Sequence, residues 1–379
     1  MVGRAVVLLV GTGVYTIFGG LRAVIFTDLF QAFVLIGGSV LLTVIAVTQA
    51  GGFGALTAKV DPSFFSLWLE FDHPDFPWTG ILLGAPALHI WYWCTDQMIV
   101  QRTLAARNVT DARKATMLAG FLKILPLFIL VLPGIAGRVL FPDVLPDRMY
   151  ATMIGTLLPP GIKGIVIAAL LAALMSSLSS VFNSASTLVV MDFYVKRRPQ
   201  ATEATLVRAG EIATGILVFV GLLWLPFIGL ISSQLYVYLQ SVQAYIAPPI
   251  TAVFLVGILW KRVNGIGALA TLIGGFVLGM GRFVVEVLVK AETVTWGPVV
   301  AITKTNFLHY SLFLFLVSLA VLTVVSLLTP PPAADKLRVF DKTDQEAANT
   351  RSNTFNVVLV SLLITAVVAI MFYFSPLIF

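Results

Sequence analysis

What most constrains this chain is the number of its apolar runs that are long enough to cross a bilayer. About ten approach the roughly 20 residues a transmembrane helix needs. They lie at roughly 5–18, 22–49, 79–100, 117–140, 161–190, 205–228, 234–260, 266–289, 308–328 and 355–377. In hydrocarbon the backbone must satisfy its own hydrogen bonds, and these runs are too long for barrel strands. The prediction is an all-α membrane protein, a single transmembrane domain over residues 1–379. A soluble domain has no place for this much apolar surface, since 59% of the residues are hydrophobic and 11% charged.

The net charge of +6 is explained by its location. If the connection after the first run is cytoplasmic, the alternate loops carry most of the cations, among them Arg102, Arg107, Arg113, Lys114, Lys196, Arg197, Arg198, Lys261 and Arg262. The opposite loops hold far fewer, which orients the bundle with its positive side inward and both termini outward. The charge is therefore no signal for nucleic acid. The single cysteine, Cys94, excludes an internal disulfide and a thiolate metal cluster. Residues 1–20 read as a span and not as a cleaved signal, because no small-residue cleavage site followed by a soluble domain appears. That span is short and abrupt, and the expectation is that more chain precedes it.

Within the run at 161–190, Leu174-Met175-Ser176-Ser177-Leu178-Ser179-Ser180 places four hydroxyls in five residues. Ser176, Ser179 and Ser180 share one helical face, and Ser177 points roughly 100° away from Ser176. Two readings stand. Small residues pack helices closely, each hydroxyl bonding back to the carbonyl one turn earlier. Alternatively, hydroxyl oxygens are hard, neutral ligands suited to a hard cation such as Na⁺.

Other positions carry polar groups at depth. Asp28 is a carboxylate a turn or two inside the membrane, either a favourable N-terminal helix charge or a buried anion near a cation path. Tyr92 falls near the middle of its run, too deep for an interfacial belt; it is core packing or a flat partner for a ring-shaped solute. Lys123 either snorkels to headgroups or faces a polar cavity. Gly19-Gly20 is expected to turn, Pro126 and Pro133 to kink their helix, and Pro248-Pro249 to break the helix at 234–260. Arg282 is expected to snorkel outward. Residues 329–354 read as a polar inner loop.

Several blocks then agree in order: Gly19-Gly20-Leu21-Arg22-Ala23-Val24 through Thr27-Asp28; Trp91-Tyr92-Trp93-Cys94-Thr95-Asp96-Gln97 through Gln101-Arg102; Phe121-Leu122-Lys123; Ala172-Ala173-Leu174-Met175-Ser176-Ser177 through Phe182-Asn183-Ser184; and Tyr245-Ile246-Ala247-Pro248-Pro249. In these the chain resembles the sodium:solute symporter family, in its sodium/glucose cotransporter branch. The resemblance implies a leucine-transporter-like inverted-repeat bundle with sites near the midplane. Core helices would occupy roughly residues 1–260 and peripheral helices roughly 266–379. It also implies that the first three core helices are absent, so the bundle is partial and the sequence N-terminally truncated.

Position by position, the resemblance implies a sodium site at Ala173 (carbonyl), Ser176 and Ser177, and a second at Asp28, Ser179 and Ser180. It implies that Tyr92 stacks on the sugar, that Lys123 and Gln240 hydrogen-bond it, and that His89, Trp93 and Tyr236 line the pocket. The expected activity is Na⁺-coupled symport of a sugar such as glucose or galactose, with myo-inositol or another polar solute as the alternative, in the plasma or inner membrane and with no enzymatic step. Na⁺ would favour an outward-open state that binds sugar better, a reciprocal coupling. Gln240 with Tyr92 and no midplane arginine favours a neutral polyol over an anion. A non-transporting sugar sensor is the rival from another class, and the 379 residues alone are expected to be an incomplete transporter.

Overall fold

The computed structural model describes residues 2–228, 235–333, 337 and 353–378. The described residues form helices and connecting turns, without a strand. In chain order these are α1 (Val2–Gln49), α2 (Phe53–Lys59), α3 (Ala85–Cys94), α4 (Gln97–Leu104), α5 (Val109–Leu122), α6 (Leu132–Leu140), α7 (Pro146–Leu157), α8 (Pro160–Leu188), α9 (Val195–Arg197), α10 (Glu203–Ile228), α11 (Leu235–Leu259), α12 (Gly265–Lys290), α13 (Gly297–Lys304), α14 (Phe307–Leu328) and α15 (Asn353–Tyr373). Among the described residues, eight helical stretches are long and apolar enough to cross a membrane.

The helices depart from the sequence expectation at two places. Gly19-Gly20 does not turn: α1 continues through it as one helix. Each glycine costs a helix only about 1 kcal/mol relative to alanine, and no proline enforces a stop there. The run at 79–100 is divided instead. It opens with a π-helical turn at Gly80–Gly84, α3 ends at Cys94, and Asp96 caps α4 by accepting the Met98 N–H at 2.8 Å. Most of the polar loop expected at 329–354 lies outside the described residues.

Two compact units emerge, the first made of residues 1–64 and 121–233, the second of 65–120 and 234–379. In the first, α8 packs against α1 and α10. Leu158-Pro159-Pro160 ends α7 and restarts the chain as α8, with Pro160 in the first turn, where its missing N–H costs nothing. Pro126 and Pro133 act as expected: α5 stops at Leu122 and the chain resumes through a π-helical turn at Leu127–Val131 before α6.

In the second unit, α11 is surrounded by α3, α12 and α14. Its centre is a cluster of Ala85, Leu88, Ala244, Tyr245, Ala247, Phe307 and Leu308. Pro248 and Pro249 do not break α11, contrary to the sequence expectation. Pro249 withdraws the donor that the Tyr245 carbonyl would otherwise meet. Gly275 and Gly279 on α12 let the neighbouring backbone close over this point. A Cβ on Gly275 would lie 2.2 Å from Pro249 Cγ, and one on Gly279 would lie 1.8 Å from the Tyr245 oxygen. On α14, Ser311, Leu314, Ser318, Leu322 and Ser326 form one buried stripe at helical spacing.

Arg282 does not snorkel outward. It is 5% exposed and donates to the backbone oxygens of Ile302, Thr303 (2.8 Å) and Thr305 (2.9 Å), which closes the turn after α13. Its guanidinium also lies over the rings of Tyr245 and Tyr310, at 5.9 and 5.3 Å. Tyr245 donates its hydroxyl to Glu286 Oε2 at 2.7 Å. The segment Phe65–Trp78 holds the end of α15: the Leu67 N–H donates to Phe374 O at 2.7 Å and Trp68 Nε1–H to Met371 O at 3.0 Å. Trp68, Trp78, Leu82, Met371 and Phe372 there line an apolar groove of about 870 Å³.

Candidate functional site

The first unit carries the hydroxyl cluster. Along α8, Ser176, Ser179, Ser180 and Ser184 are buried. Ser180 Oγ donates to Ser176 O at 2.8 Å and Ser184 Oγ to Ser180 O at 2.7 Å, so back-bonding is present at these two positions. Ser179 is different. It is 0% exposed, and its Oγ has no hydrogen-bond partner among the described residues. Leaving a buried hydroxyl unpaired costs about 1–3 kcal/mol. Helix packing therefore accounts for Ser180 and Ser184 but leaves Ser179 unexplained.

Ser177 is exposed, one turn beyond the half-buried Ala173, so the Ala173 carbonyl and the Ser177 hydroxyl share a strip of α8. Asp28 lies in α1, but its side chain falls outside the described residues. Lys123 follows the end of α5 and is exposed within the first unit.

Five of the six sugar-binding candidates belong to the second unit, on α3 and α11. These helices are joined where Thr251 Oγ1 donates to Ala87 O at 2.6 Å. Leu88 and Trp91 of α3 turn toward the core cluster, as do Val237 and Ala244 of α11. His89 and Trp93 are exposed one turn apart, and Tyr92 is half-buried between tryptophans. Its ring is 5.5 Å from Trp93, edge-on, and 6.5 Å from Trp91. On α11, Tyr236 is 63% exposed and accepts from Gln240 Nε2 at 3.2 Å. Tyr236 and Gln240 therefore act as one polar unit.

Two features of this region escape sequence reasoning. Phe76, in the segment before α3, packs against Tyr236 with ring centroids 5.9 Å apart. Arg282 and Glu286 converge on Tyr245 from α12. Neither has a motif, since each joins residues well over thirty positions apart. The one usable signal is the i,i+4 spacing of Arg282 and Glu286 in an otherwise apolar helix.

The model of the sodium:solute symporter family matches residues 3–275. The sodium/mannose cotransporter SLC5A10 of Bos taurus is 39% identical over 367 residues, which cover 86% of this chain and 61% of that protein. The sodium/glucose cotransporter 1 of Oryctolagus cuniculus is 36% identical over 370 residues, 86% of this chain and 56% of that one. The sodium/myo-inositol cotransporter 2 of Homo sapiens is 37% identical over 367 residues, 86% and 54% respectively. The chain thus spans between about half and three-fifths of the length of these relatives. A solved structure of a substrate-bound, outward-open Na⁺-coupled sialic acid symporter matches with a TM-score of 0.65 and 23% identity, over 87% of this chain and 67% of that one. This likeness carries the fold, a leucine-transporter-like helix bundle. With its apolar helices the chain is a multi-pass membrane protein, and its match over residues 3–275 makes it a member of the sodium:solute symporter family.

Proposed function

We propose that the intact protein couples inward Na⁺ flow to uptake of a ring-shaped polyhydroxy solute, a sugar or a cyclic polyol. The observation that carries this reading is the buried, unpaired hydroxyl of Ser179 beside Ser176 and Ser180. It supplies neutral oxygen where hydrocarbon and packed helices would otherwise exclude polar groups. In this reading Ala173 O, Ser176 and Ser177 hold one Na⁺, and Ser179, Ser180 and the Asp28 carboxylate serve a second.

Names of relatives support the solute class: mannose, glucose and myo-inositol all present hydroxyls around a saturated ring. Such a ring lays its C–H face on an aromatic and seeks donors and acceptors at its edge. Tyr92 would give the aromatic face. Gln240 would supply the edge contacts, with His89, Trp93 and Tyr236 around it. Glucose or galactose is the first choice and myo-inositol the second.

Coupling in this scheme is a reciprocal free energy: Na⁺ raises solute affinity by the same factor that solute raises Na⁺ affinity. A full switch of state would need about 5.5 kcal/mol of differential binding. A cation held by a carboxylate and hydroxyls in a poorly screened site is a suitable source. Uptake of labelled glucose, mannose and myo-inositol by the full-length protein in proteoliposomes, with and without a Na⁺ gradient, tests the scheme. The expected result is Na⁺-driven accumulation that collapses in Ser177→Ala. Accumulation indifferent to Na⁺, or unchanged by that substitution, defeats it.

A further inference from the structure

Phe76 belongs to the segment between Phe65 and Trp78, and it is fixed on more than one side. His73 Nδ1 accepts from the backbone N–H groups of both Asp75 (3.2 Å) and Phe76 (3.0 Å). Asn306, which caps α14, donates its side-chain amide to Pro74 O (2.7 Å) and Asp75 O (3.0 Å). The next residue, Phe307, sets its ring edge-on to Phe76, with centroids 5.8 Å apart and planes at 90°. Four of these five contacts hold the backbone at residues 74–76, and the fifth sets the Phe76 ring against Phe307.

The same ring meets Tyr236 at 5.9 Å with a 43° tilt. Tyr236 stands in the first turn of α11 and is mostly exposed, so its own helix does little to hold it. Its hydroxyl nevertheless accepts from Gln240 Nε2. That bond orients the Gln240 amide and leaves its oxygen and its second N–H, an acceptor and a donor side by side. Two adjacent hydroxyls on a ring present the complementary pair.

We propose that Phe76 is a positioning residue for the solute pocket: anchored by His73, Asn306 and Phe307, it holds the Tyr236 ring so that the Gln240 amide is aimed at the solute. This rests on the reading of Tyr236 and Gln240 as solute-binding residues. Phe76 acts through Tyr236 and touches no solute itself. The segment that bears Phe76 thereby sets affinity for the solute without entering the ion site.

Two measurements on the full-length protein test it. In proteoliposomes, Phe76→Ala is expected to raise the half-saturating glucose, mannose or myo-inositol concentration roughly three- to tenfold, the scale of one lost aromatic pair. Maximal rate and Na⁺ dependence stay near wild type, and Phe76→Leu, which keeps the apolar contact with Phe307, recovers most of the loss. Separately, Gln240→Cys, with every other cysteine of the full-length protein replaced by serine, is labelled with a membrane-permeant maleimide. Adding Phe76→Ala is expected to raise the labelling rate severalfold, and Phe76→Leu much less. Equal labelling rates with and without Phe76→Ala overturn the positioning role, whatever the protein carries. A wild-type protein that carries none of the three solutes overturns the solute-pocket reading, and Phe76 then has no pocket to serve even if labelling responds.

Discussion

Gly279 lies against the carbonyl oxygen of Tyr245 so closely that a methyl group there would stand 1.8 Å from it. The Tyr245 oxygen is the one that Pro249 leaves without its helical donor, and an α12 glycine backbone covers it. This is how α11 passes through two consecutive prolines without breaking: the neighbour supplies close packing where the ladder is interrupted.

Gly279→Ala should therefore force α12 away from α11. The expected loss is about 1–3 kcal/mol of stability, the scale of overpacking a close contact. Thermal unfolding of the purified protein in detergent measures it. Gly281→Ala is the control, because nothing lies within 4 Å of the added Cβ. It should be neutral or slightly stabilising.

Arg282 spends its donors on three backbone oxygens of one turn. Lysine keeps the charge but lacks the planar fork, so Arg282→Lys should release that turn. Limited proteolysis should then cut within residues 291–306 several times faster than in wild type. Arg282→Met should show the same cleavage. Unchanged protection in both variants would assign the turn to other contacts.

Ser179→Ala removes a buried hydroxyl that has no partner among the described residues. In Na⁺-free buffer it should leave stability unchanged or raise it by up to about 1 kcal/mol, since an unpaired polar group is lost. Its signature should be a weaker rise of melting temperature with Na⁺ than in wild type, because a ligand stabilises only through the affinity it has. Equal Na⁺ titrations of the two proteins would remove Ser179 from the ion site.

Tyr150, on α7 outside the candidate spans, has its hydroxyl 2.7 Å from that of Ser39. Burial pushes its pKa above the ordinary phenol value near 10, and the Ser39 hydrogen bond offsets part of this. The folded state therefore keeps a proton that the unfolded chain gives up first. Stability from this group is whole below about pH 10 and is lost as pH rises from there through the folded value. Tyr150→Phe should flatten that alkaline decline, read as urea midpoints between pH 9 and 11. An identical decline in the variant would place the titration elsewhere.

Much of the helical layout was legible because hydrocarbon length and proline chemistry are local. The stop and restart at Leu158-Pro159-Pro160, and the interruption around Pro126 and Pro133, follow from residues that touch each other in sequence. Gly19-Gly20 misled because glycine permits a turn without requiring one. Pro248-Pro249 misled because what rescues α11, the glycines at 275 and 279, lies some thirty residues away. The hydroxyl cluster was visible as a pattern, but spacing could not separate the back-bonded Ser180 and Ser184 from the unpaired Ser179. Arg282 looked like a snorkelling side chain because its acceptors are carbonyls, which leave no mark in a sequence.

The grip of Trp68 on Met371 has a consequence for how the chain is made. The two residues are 303 positions apart. At 5–20 residues per second, roughly 15–60 s of translation separate them. During that interval the indole N–H of Trp68 lacks its acceptor, and the segment that bears Phe76 lacks its last neighbour. Anything that stalls the ribosome between these points would leave this region open to the insertion machinery or to quality-control proteases.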